Sequence, residues 1–233
     1  MRRPSSLLAL LLLALPSPVF AHLLGQRDLE TLARDATVVV RAEVRAVSGQ
    51  DTPDDPRRLE LQVVSVLKGE ASGVLRVRGE GHHAIRPPIG EQGLFFLAPS
   101  KDEPGALACI QGEAERWTLE PEEGEGADRI VSRLLAGPTH EELISAYVQA
   151  VAHPSRRLAA HGVQRLALAV REKRMSPAAW ALLRTTIEDG RIADGARASL
   201  VTAVGAAMPD GWAETLAREL PDSDTSTAVL QVL

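Results

Sequence analysis

The apolar residues of this chain change rhythm near residue 130, from a twofold to a 3.6-fold spacing, and that change decides what it can fold into. Upstream, short runs rich in valine and leucine alternate between faces and are cut by turn chemistry. Residues 36–47 open with Val38, Val39 and Val40. Residues 59–67 place Leu59, Leu61, Val63, Ser65 and Leu67 on one face. Residues 74–77, 93–98, 106–111 and 116–119 follow. The acid- and proline-bearing stretch 51–56 cannot continue a ladder, and Gly69 turns the chain. A short helix over residues 26–35 precedes these strands, with Leu29, Leu32 and Ala33 at helical spacing. Five or six short strands separated by turns predict a small closed barrel or sandwich.

Downstream the signals are helical. Thr139 and Glu142 form a capping box that opens a helix through about residue 151. Pro154 and Ser155 restart the chain, and Ala159, Val163, Leu166 and Val170 make one apolar stripe. Ser176 followed by Pro177 marks another helix start, with Gly190 placed to end it. Asp194 and Asp210 can cap two more helices, and residues 222–233 a last one. The starts at Thr139, Ser176 and Asp210 recur about every 35 residues, the spacing of stacked helical hairpins. Residues 121–128 are acidic and glycine-rich, the composition of a linker. The expected class is therefore α+β: a small antiparallel β-barrel domain over 22–120, a linker over 121–138, and an all-α helical-hairpin domain over 139–233. Packing of the two halves together as one domain is the other arrangement the pattern admits.

The first 21 residues carry Arg2 and Arg3, an unbroken apolar run over 7–15, two prolines, and Val19-Phe20-Ala21 at a cleavage position. They predict an export signal, a mature chain starting at His22, and an exported destination, periplasmic or extracellular. The apolar run is too short to span a bilayer, and no later stretch comes close.

The net charge of −5 becomes −7 once Arg2 and Arg3 are removed, and only three lysines are present (Lys68, Lys101 and Lys173). An acidic surface disfavours nonspecific nucleic-acid or anionic-membrane binding. Aromatics at 3% leave little for stacking bases or sugars. The single cysteine, Cys109, rules out an internal disulfide framework and lies in an apolar run, where a buried inert thiol is expected.

Residues 36–44, the phrase Leu61-Gln-Val-Val-Ser-Val-Leu-Lys-Gly69 and Gly93-Leu-Phe-Phe-Leu97 resemble an exported OB-fold barrel of the netrin or metalloproteinase-inhibitor type, over about 29–119. That family's inhibitors use disulfides and a mature N-terminal cysteine on the protease zinc. This chain has neither, so protease inhibition does not carry over. Residues 139–233 resemble HEAT-like repeats, carried by paired amphipathic helices and turns such as His153-Pro-Ser-Arg-Arg157. That resemblance implies a protein-interaction scaffold whose partner is another protein.

Motifs for a serine nucleophile, a phosphate-cradling loop or cysteine-bound zinc are missing. His140-Glu141-Glu142-Leu143-Ile144 begins like a zinc-protease helix but has Ile144 where the second ligand belongs. His153 and His161 read as surface or satisfied core residues. Noncatalytic binding or scaffolding is the leading expectation. One alternative is a copper site: a mature N-terminal His22 offers an amine and an imidazole, and His82 or His83 could add a third nitrogen. The other is an enzyme whose site converges around His82, His83 and Arg86.

Overall fold

The computed structural model describes residues 27–50, 52, 54–80, 84–190, 192, 196, 197, 199–201 and 212. A short helix, α1, spans Leu29–Asp35, with the Asp28 carboxylate accepting from the Thr31 N–H at 2.7 Å as its N-cap. At its other end the Lys68 ammonium donates to the carbonyls of Ala33 at 2.9 Å and Ala36 at 2.5 Å. These are the carbonyls a helix C-terminus leaves unpaired.

Six strands follow: β1 (Val38–Ser48), β2 (Arg58–Lys68), β3 (Val74–Gly79), β4 (Gln92–Pro99), β5 (Leu107–Cys109) and β6 (Trp117–Leu119). The first five close into a barrel in the order β1-β2-β3-β5-β4, with β4 pairing back onto β1. All of these pairs are antiparallel except β3 with β5. The expected all-antiparallel barrel is thus corrected to a mixed one, and the reason is parity. Strand direction alternates round a ring, and five strands cannot alternate all the way to closure.

β5 and β6 share one edge of β4 and leave a gap between them. Gln111 fills it. Its buried amide accepts from the Phe96 N–H at 2.6 Å and donates to the Leu94 carbonyl at 2.9 Å, so a side chain completes the ladder that the backbone interrupts.

The face expected for β2 is split. Leu59 and Leu61 are fully buried in the barrel interior and Val63 packs on the same cluster, but Leu67 packs outside it and Ser65 bonds to a helix. Between the pairs Ala42–Val63 and Arg41–Ser65, β1 advances one residue and β2 two. The extra residue is Val64, a bulge that turns Ser65 to the outer face, and a second extra residue, Leu67, follows between the pairs Val40–Val66 and Val39–Lys68.

Past β6, a 3-10 turn (Pro121–Glu123) leads into α2 (Gly124–Leu135), α3 (His140–Val151), α4 (Arg156–Arg171) and α5 (Pro177–Glu188). Residues 121–135, read from sequence as linker, are helical instead, with Ala127, Ile130 and Val131 buried. The two glycines that suggested flexibility are packing glycines. A Cβ on Gly124 would lie 2.5 Å from Arg41 Nη1, and one on Gly126 would lie 2.8 Å from His153 Nε2. The three later helices begin where the capping signals place them, at Thr139, Ser155 and Ser176. Expected helices around 194–207 and 210–220 fall largely outside the described residues. Among those described, Leu200 and Trp212 join the core made by α3, α4 and α5. None of the described helices is long and apolar enough to cross a membrane.

Besides that helical core and the barrel interior, a third cluster lies between barrel and helices. It joins Leu29 and Leu32 of α1, Val39 and Phe96 of the barrel, Trp117, Ala127 and Val131 of α2, and Leu158 of α4. α1 is its centre, since both of its leucines are fully buried there.

Candidate functional site

A dense group of titratable side chains lies on the margin of this third cluster. α4 carries Arg157, His161 and Arg165 at spacings of four, so all three lie on one face. The Arg157 guanidinium sits 5.0 Å over the Trp117 ring. The His161 ring stands edge-on to Trp117 at 5.8 Å and to Tyr147 of α3 at 6.0 Å. Arg165 lies 5.8 Å from the centre of the Tyr147 ring. Each cation is backed by an aromatic face that attracts it.

The acceptor for His161 and Arg165 is Glu30 on α1. Its Oε1 takes hydrogen bonds from the Tyr147 hydroxyl at 2.7 Å, Arg165 Nε at 3.0 Å and His161 Nε2 at 3.2 Å. Oε2 is buried and accepts none from the described residues. Arg165 also reaches Asp28 at 3.3 Å, so the N-cap of α1 belongs to the same network. Burial pushes the Glu30 carboxyl up, but His161, Tyr147 and Arg165 together outweigh it and hold it down at about 2. The Tyr147 hydroxyl moves the opposite way. Burial and the Glu30 carboxylate both resist a phenolate, and its pKa is pushed well above the ordinary tyrosine value.

Two further nodes stitch the helices to the barrel. Arg41, on the outer face of β1, grips Asp128 of α2 side-on, with Nε 3.0 Å from Oδ1 and Nη2 3.0 Å from Oδ2, and Ser65 adds a bond of 2.8 Å. His153, in the turn between α3 and α4, accepts the Ser155 N–H on Nδ1 at 3.1 Å and presents Nε2 to the Glu123 carbonyl at 3.2 Å. That arrangement fits the neutral ring with its proton on Nε2, and burial pushes its pKa below the ordinary histidine value.

Of the residues expected to form a site, His22, His82 and His83 all lie outside the described residues. So do the export signal and its cleavage position. Arg86 is exposed, and its backbone N–H donates to Glu113. Among the described residues no group of three or more His, Cys, Asp or Glu side chains is placed to hold a metal ion. His153 and His161 are both buried and hydrogen-bonded. Cys109 is buried in the barrel wall, and burial pushes its thiol up to about 12. The polar row Arg157, His161 and Arg165 was visible in the sequence as spacing on one helix. Its partners Glu30, Trp117 and Tyr147 come from three distant elements that no local pattern joins.

No protein-family model matches this chain, and none of the curated proteins matches it significantly in sequence.

Proposed function

We propose that this is an exported, noncatalytic binding or scaffolding protein in which an OB-like barrel is carried on a short HEAT-like helical array. The strand order β1-β2-β3-β5-β4, with β1 shared and a single parallel pair, supports the OB-like reading. The tight α3–α4 pair, with α5 packed beside α3, supports the repeat reading.

The observation that carries the functional reading is the state of Glu30 and Tyr147. Proton transfer at neutral pH favours groups whose pKa values lie near it. Here the carboxyl is held down by His161, Tyr147 and Arg165, and the phenol is pushed up by burial and by Glu30. Such a network holds three helices in place and is matched to rigidity rather than to turnover. A rigid body presents a surface at little entropic cost on binding.

The test is crosslinking of tagged full-length protein in the exported fraction, with mass spectrometry of what is captured. One reproducible protein partner, bound through described surface residues, is the expected result. Hydrolytic or transfer activity that disappears in Glu30→Gln while the fold persists would contradict the reading.

A further inference from the structure

The outer face of β2 and β3 holds an unusual pairing. Arg58 and Arg78 are direct cross-strand partners, whereas the next outward pair, Glu60 and Arg76, is complementary and bonded at 3.0 Å. Like charges directly opposite each other destabilise a sheet. Two arginines there make sense when one acidic group or segment is held between them.

In this structure the chain supplies that segment itself. The loop joining β4 to β5 brings Asp102 to Arg78 Nη2 at 3.1 Å and Glu103 to Arg58 Nη2 at 3.3 Å. The fit is incomplete. Arg41 engages Asp128 through both Nε and Nη2, but Arg78 meets Asp102 through Nη2, and its buried Nε has no hydrogen-bond acceptor among the described residues. Both acids are well exposed, at 62% and 44%, and the Arg58–Glu103 pair, exposed on both sides, contributes little. A cleft of about 360 Å³ adjoins them, and its charged lining is Arg58, Glu60, Arg76, Arg78 and Glu103. The loop does not depend on these ion pairs for its shape. Ser100 Oγ accepts the Glu103 N–H at 3.2 Å and donates to Glu80 at 2.8 Å.

We infer that the β2–β3 face binds an acidic peptide segment of a protein partner, whose paired carboxylates displace Asp102 and Glu103 from Arg78 and Arg58. What sits there now indicates the occupant: two consecutive carboxylates on a bent loop of polypeptide, with Asp102 bonded through half of a fork that a free segment can complete. Asp102 and Glu103 then act as a built-in competitor. This rests on the binding-protein reading and names the chemistry of its partner.

The test is fluorescence anisotropy on the full chain, with a short labelled peptide of alternating Asp and Glu and its Asn/Gln counterpart as control. The acidic peptide is expected to bind saturably, more weakly as salt rises. Asp102→Asn with Glu103→Gln removes the competitor and is expected to tighten binding roughly fivefold or more. Arg78→Lys keeps the charge but loses the fork, and is expected to weaken binding roughly tenfold with the circular-dichroism melt unchanged. Equal binding of the neutral peptide, no gain in the double variant, or inorganic pyrophosphate binding in place of the peptide would overturn the inference. If Arg78→Lys protein still captures a crosslinked partner as well as wild type, this inference falls and the binding-protein reading stands.

Discussion

The Tyr147 hydroxyl donates to Glu30 Oε1 at 2.7 Å, closing a hydrogen bond between α3 and α1 across 117 positions of sequence. α1 is seven residues long, too short to persist alone in water. Its place is set by apolar burial beneath it, by Lys68 at its C-terminus, and by Arg165 and Tyr147 along its polar side. Glu30→Ala leaves the buried His161 and the partly buried Arg165 without their shared acceptor, which costs about 2–4 kcal/mol. Tyr147→Phe keeps the ring against His161 and loses one donor, at about 1 kcal/mol. Denaturant midpoints at neutral pH measure both.

Acid acts on this network with a definite sign. The Glu30 carboxyl ionises at about 2 in the folded protein against an ordinary 4.5, so as pH falls the unfolded chain takes up the proton first. Its contribution is complete above 4.5 and drains as pH drops from there toward 2. The stability gap between wild type and Glu30→Gln is therefore expected to close over that window, read from denaturation at stepped pH.

His153 works the same way in a higher window. Its pKa is depressed from 6.5 because the ring is buried and Nδ1 is occupied by the Ser155 N–H. Its contribution is complete above 6.5 and is lost as pH falls below that value through the folded pKa. His153→Gln is expected to flatten the stability profile just below pH 6.5 and leave the Glu30 window unchanged.

Gln111 closes the gap in the barrel wall, bonding the Phe96 N–H and the Leu94 carbonyl, both buried. Gln111→Ala strands these two groups, and about 2–4 kcal/mol is the expected loss. Backbone exchange at Phe96 should accelerate most, measured by hydrogen–deuterium exchange.

Gly162 marks the closest approach of α3 and α4. A Cβ there would lie 2.7 Å from the Tyr147 carbonyl oxygen and 2.7 Å from the Val151 nitrogen, both backbone atoms that cannot swing aside. Alanine improves intrinsic helix propensity by about 1 kcal/mol relative to glycine. Overpacking costs about 1–3 kcal/mol, and more where backbone must move. Gly162→Ala is therefore expected to lower the melting temperature, with the opposite sign to propensity.

Local chemistry made much of the fold legible. All six strands and the starts of α3, α4 and α5 lie where alternation, capping residues and proline place them, because those signals act within a few residues. What escaped depends on distant partners. Val64 reads as one more residue of an alternating strand, and only pairing against β1 makes it a bulge. Gly124 and Gly126 read as linker until Arg41 and His153 occupy the space a Cβ would need. The parallel pair is a property of the closed ring, not of any strand in it. The site was less legible still: the copper and enzyme alternatives rested on His22, His82 and His83, outside the described residues, while Glu30 gave no local sign that three side chains converge on it.

The buried polar seam is expected to make barrel and helices one cooperative body. Cys109 reports on the barrel alone, because it is the chain's only thiol and is 1% exposed in the barrel wall. Ellipticity at 222 nm reports mainly on the helices. Thiol labelling of Cys109 and helical ellipticity, followed through one urea titration, are expected to change together, with both midpoints falling by the same amount in Glu30→Ala. Separate transitions, or a Glu30→Ala midpoint that shifts for the helices while Cys109 stays protected, would contradict the account.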